Sequence, residues 1–293
     1  MKTLVADIGG TNSRLAFAVT SKNEKKIELE NIQKFRNSNF KNFDEVIEEY
    51  LSISDDASAN QMCIAAAGII SGSTVEMSNL NWKITAPSLK KIANAKKVLI
   101  INDLQAQGYA LDFLKPKDLE TLIEGNHSVD PHDIKLVCGM GTGFNVAISY
   151  QTPFGTFVPA SEYGHARITI ANKKQNSIIK ELEKTSSFVS YENILAGQGL
   201  SRLDQVLNQK IGRTPSDILA AANAGDPEAK EVGIQLAGFA GQAFGDFALM
   251  NMALGGVYLI GGVARGLMPY FKEENFRKNF NNRGKFSEIT KKI

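Results

Sequence analysis

Two glycine turns raise the question of what this chain holds. Asp7-Ile-Gly-Gly-Thr-Asn12 follows the apolar run Thr3-Leu-Val-Ala6, and Gly139-Met-Gly-Thr-Gly143 follows Ile134-Lys-Leu-Val-Cys138; each is succeeded by a second apolar run. Glycine removes the Cβ where a backbone must approach a ligand closely, and successive N–H groups in such a turn form a concavity suited to an anion such as phosphate. The competing reading is an ordinary glycine-rich hairpin. Asp7, ending its run, could hold a hydrated Mg²⁺, a hard cation that takes oxygen ligands and keeps its waters. Phosphoryl transfer often needs, besides charge neutralisation, a carboxylate that takes the acceptor's proton. Asp103 suits that role, because it ends a strand-like run at the start of a helix-like one, where α/β sheets place ligands. It would serve equally as a plain helix N-cap, and Asn102 beside it adds a second hydrogen-bonding side chain. Pro159-Ala-Ser-Glu-Tyr-Gly-His-Ala166 sets Glu162 and His165 three apart around Gly164. With Glu192 they could bind vicinal hydroxyls through charge-assisted hydrogen bonds; a structural histidine and a metal pair are the other readings, with no further ligand in sequence reach.

The elements that must position these residues form two similar halves. Residues 3–8, 12–19 and 27–35 read as three strands, with the polar turn Ser21-Lys-Asn-Glu24 before the third. Residues 42–54 read as a helix capped by Asn42 with Glu45 three residues on. Residues 62–67 and 97–101 are short buried-type strands, separated by a Ser-, Asn- and Gly-rich insertion over 71–81, and a helix over 104–114 follows. This βββαβ…βα order is an α/β unit with a mixed sheet. The second half repeats it: strands over 134–138, 144–150 and 155–160, then helices including 191–207, one from Thr214 with Pro215 and Asp217 in its first turn, and a long one over 226–254. Residues 255–263 close the half as strand and glycine turn. One fold duplicated, facing itself across a cleft, is the expectation, with a small domain over 1–107 and a large one over 108–293.

Composition limits the alternatives. With 293 residues, two domains fit the usual size of about 100–200 residues each. The 43% hydrophobic and 22% charged content is that of a globular protein with a large core. A net charge of +2 points neither to a nucleic-acid surface nor to an acidic tail. The lysine clusters over 22–26 and 90–97 lack interleaved aromatics and read as solvated faces. Cys63 and Cys138, each in an apolar run, form no Cys-x-x-Cys pair and fit a reducing compartment. No apolar run is long enough to span a membrane, and the immediate first strand leaves no room for a signal peptide. A cytoplasmic protein is expected. No P-loop pattern exists, and the first turn leads into a strand, not the helix a dinucleotide fingerprint opens.

Taken together, the motifs resemble those of bacterial hexokinase-type glucokinases, in the superfamily that joins sugar kinases, heat-shock ATPases and actin. Asp7-Ile-Gly-Gly-Thr-Asn12 is similar to the first phosphate motif and Gly139-Met-Gly-Thr-Gly143 to the second. Ile101-Asn-Asp103, continuing to Ala106-Gln-Gly-Tyr-Ala-Leu111, resembles the sugar-binding and catalytic segment. Glu162-x-Gly-His165 and Glu192-x-Ile-Leu-x-Gly197 resemble two further sugar-site motifs, Gly256-Val-Tyr-Leu-Ile-Gly-Gly262 the adenosine motif, and Met77-Ser-Asn-Leu-Asn-Trp82 a cleft-lining stretch. The resemblance implies two RNase H-like domains of the actin-like ATPase type, α/β with mixed sheets, facing a central cleft. It implies ATP-dependent phosphorylation of glucose at its 6-hydroxyl. Asp103 would be the general base; Asn102, Glu162, His165 and Glu192 would hold the sugar. Asp7 would position Mg²⁺ through water, Gly9, Gly10, Thr11, Asn12, Gly141 and Thr142 would line the nucleotide's phosphates, and Gly261 and Gly262 would sit near the adenosine. It further implies a homodimer with no nucleic-acid or membrane partner. A kinase for mannose or fructose and a non-catalytic nucleotide-binding regulator are the alternatives.

Departures from the family pattern carry their own expectations. Met140 replaces the usual Pro and should loosen the second turn. Phe144-Asn145 replaces Leu-Gly and should place an amide near the nucleotide, and Tyr163 replaces a small residue and should lie beside the sugar. The family continues past the segment like Phe280-Asn-Asn-Arg-Gly-Lys-Phe286 with a strand and a helix that this sequence, up to Ile293, does not contain.

Overall fold

The structure, a computed structural model, describes residues 2–20, 27–54, 59–128 and 130–293. The turn expected over 21–24 and the lysine cluster over 22–26 lie outside the described residues. The chain divides into two compact units, Met1–Ala106 and Gln107–Ile293, and passes from one to the other inside a helix.

The first unit is built on a five-stranded sheet. Strands β1 (Lys2–Ile8), β2 (Asn12–Thr20), β3 (Ile27–Arg36) and helix α1 (Phe43–Ile53) are followed by β4 (Gln61–Ala66). Three short strands, β5 (Gly68–Ser71), β6 (Thr74–Met77) and β7 (Lys83–Thr85), precede helix α2 (Ala86–Ile92), β8 (Lys97–Asn102) and α3 (Asp103–Ala110). The sheet order is β3-β2-β1-β4-β8, antiparallel across the first three strands and parallel from β1 through β4 to β8. Alternation along β1 buries Leu4, Ala6 and Ile8 on one face. Phe43, Val46, Ile47 and Tyr50 of α1 cover that face, as their helical spacing requires. The Asn42 side chain caps α1 by accepting from Glu45 N–H, while the Glu45 carboxylate reaches one residue further back, to Lys41 N–H.

The insertion expected to be irregular is a separate three-stranded antiparallel sheet, β5-β6-β7. Its strands have only three or four residues, too few for a period-2 signal to stand out from their Ser and Asn content. It buries Val75, Met77, Trp82 and Ile84 in the first core, with Trp82 tilted against Phe43. Helix α2, capped by Thr85 and with Pro87 in its first turn, was likewise not expected; Lys90 and Lys91 fall in its last turn, where cations suit the helix dipole.

The second unit repeats the plan. Strands β9 (Lys135–Met140), β10 (Phe144–Thr152) and β11 (Gly155–Phe157) precede helices α4 (Lys173–Glu183), α5 (Tyr191–Leu195), α6 (Gly197–Asn208), α7 (Pro215–Asn223) and α8 (Pro227–Asn251). Then come β12 (Val257–Ile260), α9 (Gly262–Phe271), α10 (Glu274–Asn281) and α11 (Ser287–Thr290). The sheet order is β11-β10-β9-β12, with the same sequence of antiparallel, antiparallel and parallel pairs that begins the first sheet. Helix α8 lies in the core along most of its length, its Phe244 stacked on Phe144 and edge-on to Phe271 and Phe276. Thr214 and Asp217 close a full capping box on α7. The single helix expected over 191–207 is two, because Ala196 is extended (φ −87°, ψ 174°). Met140, expected in a loosened turn, is the last residue of β9 and is fully buried, so the turn itself is only residues 141–143.

A polar knot ties the turn after α3 to the β10–β11 hairpin. The Asp112 carboxylate accepts from Lys135 Nζ (3.0 Å), Gln151 Nε2 (2.9 Å) and Thr156 Oγ1. Burial alone would push this carboxyl up, but the donors together hold it below the usual carboxylate range. A depressed folded value means stability present above the unfolded pKa of about 4 and lost as pH falls through the folded one. The Asp112→Ala variant should therefore melt below the wild type near neutral pH, and the gap should close on acidification below about pH 4. Calorimetric melts across that range check it; a gap independent of pH would contradict the assignment.

Candidate functional site

In the first unit the predicted residues gather at the carboxyl ends of three parallel strands. Asp7 ends β1 opposite Arg14 of β2, with which it makes an exposed ion pair at 3.0 Å. Gly9, Gly10 and Thr11 form the turn to β2, closed by a hydrogen bond from Gly9 N–H to the carbonyl of Asn12 (3.0 Å). This turn does not stand alone. Asn37, 2% exposed, donates from Nδ2 to the Gly9 carbonyl (2.8 Å) and accepts at Oδ1 from the buried Ser13 hydroxyl (2.8 Å). Its own N–H donates to the Thr11 carbonyl (3.0 Å). Asn37 was not among the expected site residues, and nothing local marks it, since it contacts the turn across 28 residues. On the other side a Cβ on Gly10 would lie 3.1 Å from the Asn79 side chain, so the segment containing Met77 to Trp82 flanks the turn through Asn79 while Trp82 serves the core.

Asn102 ends β8 and shares with Asp103 the capping role that the sequence offers to Asp103. Asn102 Oδ1 accepts from Leu104 N–H (2.9 Å), and Gln105 Oε1 accepts from Asn102 N–H (3.0 Å). Asn102 thus accepts from the second N–H of the helix while Gln105 reaches back to it, which differs from a capping box, where the side-chain bond goes to the third N–H. The Asn102 amide nitrogen is left as a group able to meet a hydroxyl. Asp103 Oδ1 accepts from Leu104 N–H (2.8 Å). Burial raises the Asp103 pKa, the Leu104 N–H opposes this, and the negative charge of Asp7 raises it further. Asp7 is exposed at its strand end, and among the described residues no three His, Cys, Asp or Glu gather into a metal cage. A lone accessible carboxylate with a second one nearby is the donor set a hydrated Mg²⁺ takes, the rest of its shell being water and phosphate oxygen.

The second unit holds the other predicted residues. Gly141, Thr142 and Gly143 turn from β9 to β10, with Gly141 N–H donating to Gly143 carbonyl (3.0 Å). A Cβ on Gly141 would meet nothing within 4 Å, so open space adjoins this backbone. Gly261 and Gly262 follow β12, which is parallel to β9. Gly261 adopts φ +106°, and a Cβ there would collide with the Met140 carbonyl; only glycine fits. Gly262 begins α9. The glycine turn and the end of β12 thus abut, and the N-terminus of a ten-residue helix opens beside them, an arrangement suited to an anion.

Glu192, in the first turn of α5, accepts at Oε2 from Phe144 N–H (3.1 Å), the first N–H after the turn. Gly197, at the start of α6, donates to the Gly141 carbonyl (2.8 Å). The break between α5 and α6 therefore grips the glycine turn at both ends. Glu162 and His165 are both exposed, with Oε2 and Nε2 4.0 Å apart. Gly164 between them has no room for a Cβ against the Phe144 carbonyl, which packs their loop onto the start of β10. Two of the residues that depart from the family pattern find partners within the protein. Asn145 points its amide at the Ser161–Glu162 segment, bonding both, because alternation along β10 sends it to the face opposite Phe144. The Tyr163 ring turns away to pack edge-on against Phe247 of α8 at 5.1 Å, where a large ring gains more from burial than from solvent.

The glucokinase family model matches residues 4–293. A glucokinase of Saccharophagus degradans is 33% identical, the alignment covering 99% of this chain and 91% of that protein. The crystal structure of a glucokinase from an Antarctic psychrotroph superposes with a TM-score of 0.87 at 27% identity, covering 100% of this chain and 92% of that one. A ROK family glucokinase from Streptomyces griseus, solved with glucose and AMPPNP, gives a TM-score of 0.61 at 19% identity over 100% and 98% of the two chains, a likeness of fold. The expected class, two α/β units of the actin-like ATPase type, is borne out.

Removing the Asn37 side chain would leave the Gly9 carbonyl and the Ser13 hydroxyl unpaired in a buried place, at a cost of about 1–3 kcal/mol. Asn37→Ala should lower the melting temperature and weaken AMPPNP binding, while Asn37→Asp, which keeps the acceptor for Ser13 but not the donor for Gly9, should recover only part of the stability. Melts and nucleotide titrations of the two variants check this; wild-type behaviour in both would remove Asn37 from the turn's support.

Proposed function

The chain belongs to the glucokinase family, and from that premise we propose that it transfers the γ-phosphoryl group of ATP to the 6-hydroxyl of glucose, giving glucose 6-phosphate and ADP. The observation that carries this reading is Asp103, a carboxylate at the carboxyl end of β8, held above its ordinary pKa by burial and by Asp7. A base must take the proton as the hydroxyl oxygen attacks phosphorus, and a carboxylate with a raised pKa is the better acceptor. A plain nucleotide switch has no use for such a group, nor for the polyol-binding set Glu162, His165 and Glu192.

In this reading Asn102, Glu162, His165 and Glu192 hold the sugar's hydroxyls. Carboxylates take hydroxyl donors through charge-assisted hydrogen bonds, and a site built to hydrogen-bond hydroxyls rejects sugars that leave its polar groups unpaired. The N–H groups of Gly9, Gly10, Thr11, Asn12, Gly141 and Thr142 receive the phosphates, and Gly261 and Gly262, beside the N-terminus of α9, border the nucleotide. Bound Mg²⁺, on Asp7 through water, would neutralise phosphate charge. Asp103 takes the 6-hydroxyl proton and releases it to solvent after transfer. A cytoplasmic homodimer is part of the same proposal; no helix among the described residues is long and apolar enough to cross a membrane.

A coupled assay with ATP and glucose, mannose or fructose should show the highest kcat/KM with glucose; no sugar-dependent ADP release would sink the kinase reading. Asp103→Asn should cut kcat by about 10²–10⁴-fold with AMPPNP binding retained and the melting temperature no lower, since it removes a carboxylate whose ionisation the fold opposes. The base must be deprotonated to act, so the acid limb of the wild-type kcat/KM profile should lie above the ordinary carboxylate value of about 4. Near-normal turnover in the variant would overturn the base assignment.

A further inference from the structure

We propose that Asn145 is a positioning residue that aims the Glu162 carboxylate at a hexose hydroxyl; this deepens the sugar-binding reading and rests on it. Asn145 spends three of its four hydrogen bonds on the loop that carries Glu162. Its Nδ2 donates to the Ser161 carbonyl (2.7 Å) and to Glu162 Oε2 (3.1 Å). Its Oδ1 accepts from Val146 N–H (2.8 Å) and Gly164 N–H (3.3 Å). An amide has two donors and two acceptor lone pairs, and all four are engaged. Because the Oδ1 partners are backbone N–H groups, which only donate, the amide cannot be turned round, and the amino end must face Glu162.

The surroundings make this hold rigid. Ser161 is strapped to β10 by its own hydroxyl, which donates to the Val146 carbonyl. Gly164 is pressed on the Phe144 carbonyl with no space for a Cβ. One residue earlier, Phe144 N–H holds Glu192. Two consecutive residues at the head of β10 thus each steady one of the two candidate sugar carboxylates, the first through the backbone and the second through its side chain. Glu162 is exposed and flexible by type, so a fixed donor saves ordering entropy that sugar binding would otherwise cost. A glycine at 145 would offer no such donor.

The test uses the full chain with two variants, Asn145→Asp and Asn145→Gly. The aspartate is isosteric and keeps both bonds to Val146 and Gly164 N–H, but sets a carboxylate against the Ser161 carbonyl and Glu162. Calorimetric titration with glucose should show affinity weakened about tenfold or more in Asn145→Asp and less in Asn145→Gly, which removes the donor without adding charge. In steady state, KM for glucose should rise by a similar factor while KM for ATP stays near wild type and any fall in melting temperature leaves the protein fully folded at the assay temperature, a split that a merely structural role would not produce. Unchanged glucose affinity in both variants, a loss of AMPPNP affinity in place of glucose affinity, or a fall in melting temperature that accounts for every change would overturn the proposal. So would a wild type that binds no glucose. A wild type that binds glucose and releases no ADP would overturn phosphoryl transfer instead, with the Asn145 question still decided by the titration.

Discussion

The hydrogen bond from Gly197 N–H to the Gly141 carbonyl is the constraint on which the second unit's site rests. A three-residue turn cannot satisfy its own backbone, and a carbonyl left without a partner in a packed place is costly. The donor that reaches it exists because α5 and α6 are not one helix. In a continuous helix the N–H of residue 197 would be consumed by the carbonyl four residues earlier. Extending Ala196 frees it, and the same break leaves Glu192 within reach of Phe144 N–H. Gly199 then has to be glycine, because a Cβ would meet the Ile194 carbonyl as α6 starts. One interruption in a helix therefore supplies both grips on the turn.

The first unit solves the same problem with a side chain. Asn37 takes the part that the start of α6 takes in the second, donating to a glycine carbonyl from outside the turn. The two turns sit at equivalent places in sheets of the same strand order, yet their supports have nothing in common in sequence. What the duplicated fold preserves is the place where a backbone needs help, while each half finds its own donor. The end of β8 follows that logic too: Asn102 and Asp103 share the Leu104 N–H, and Gln105 satisfies the Asn102 N–H.

Legibility in the sequence followed the range of the interactions. Strands β1 to β4 and β8, the caps on α1 and α7, and both glycine turns were readable because alternation, capping residues and turn glycines are local. The break at Ala196 was not, since residues 191–207 keep an unbroken helical pattern of apolar positions and the reason for interruption is a carbonyl more than fifty residues earlier in the chain. The partners of Asn145 on the 161–164 loop were not readable for the same reason: they lie 16 to 19 residues on, beyond what a motif displays. Motif resemblance named candidate residues, whereas Asn37, Asn145 and Gly197, which bond to the turns and loops that carry them, became visible only through contacts distant in the chain.

The two separate cores and the single crossing of the chain between units have a consequence for biosynthesis. The first unit is contiguous, and its last strand, β8, ends at residue 102, so its sheet can close while most of the second unit is still untranslated. The second unit must wait far longer. Its central strand β9 is made by residue 140, but its parallel neighbour β12 begins only at residue 257, after five helices have been synthesised. Pairing so distant in the chain is slow and leaves a strand edge exposed in the interval. Between those two strands one edge of β9 has no partner, and that interval is the one in which edge pairing with another chain is open to it.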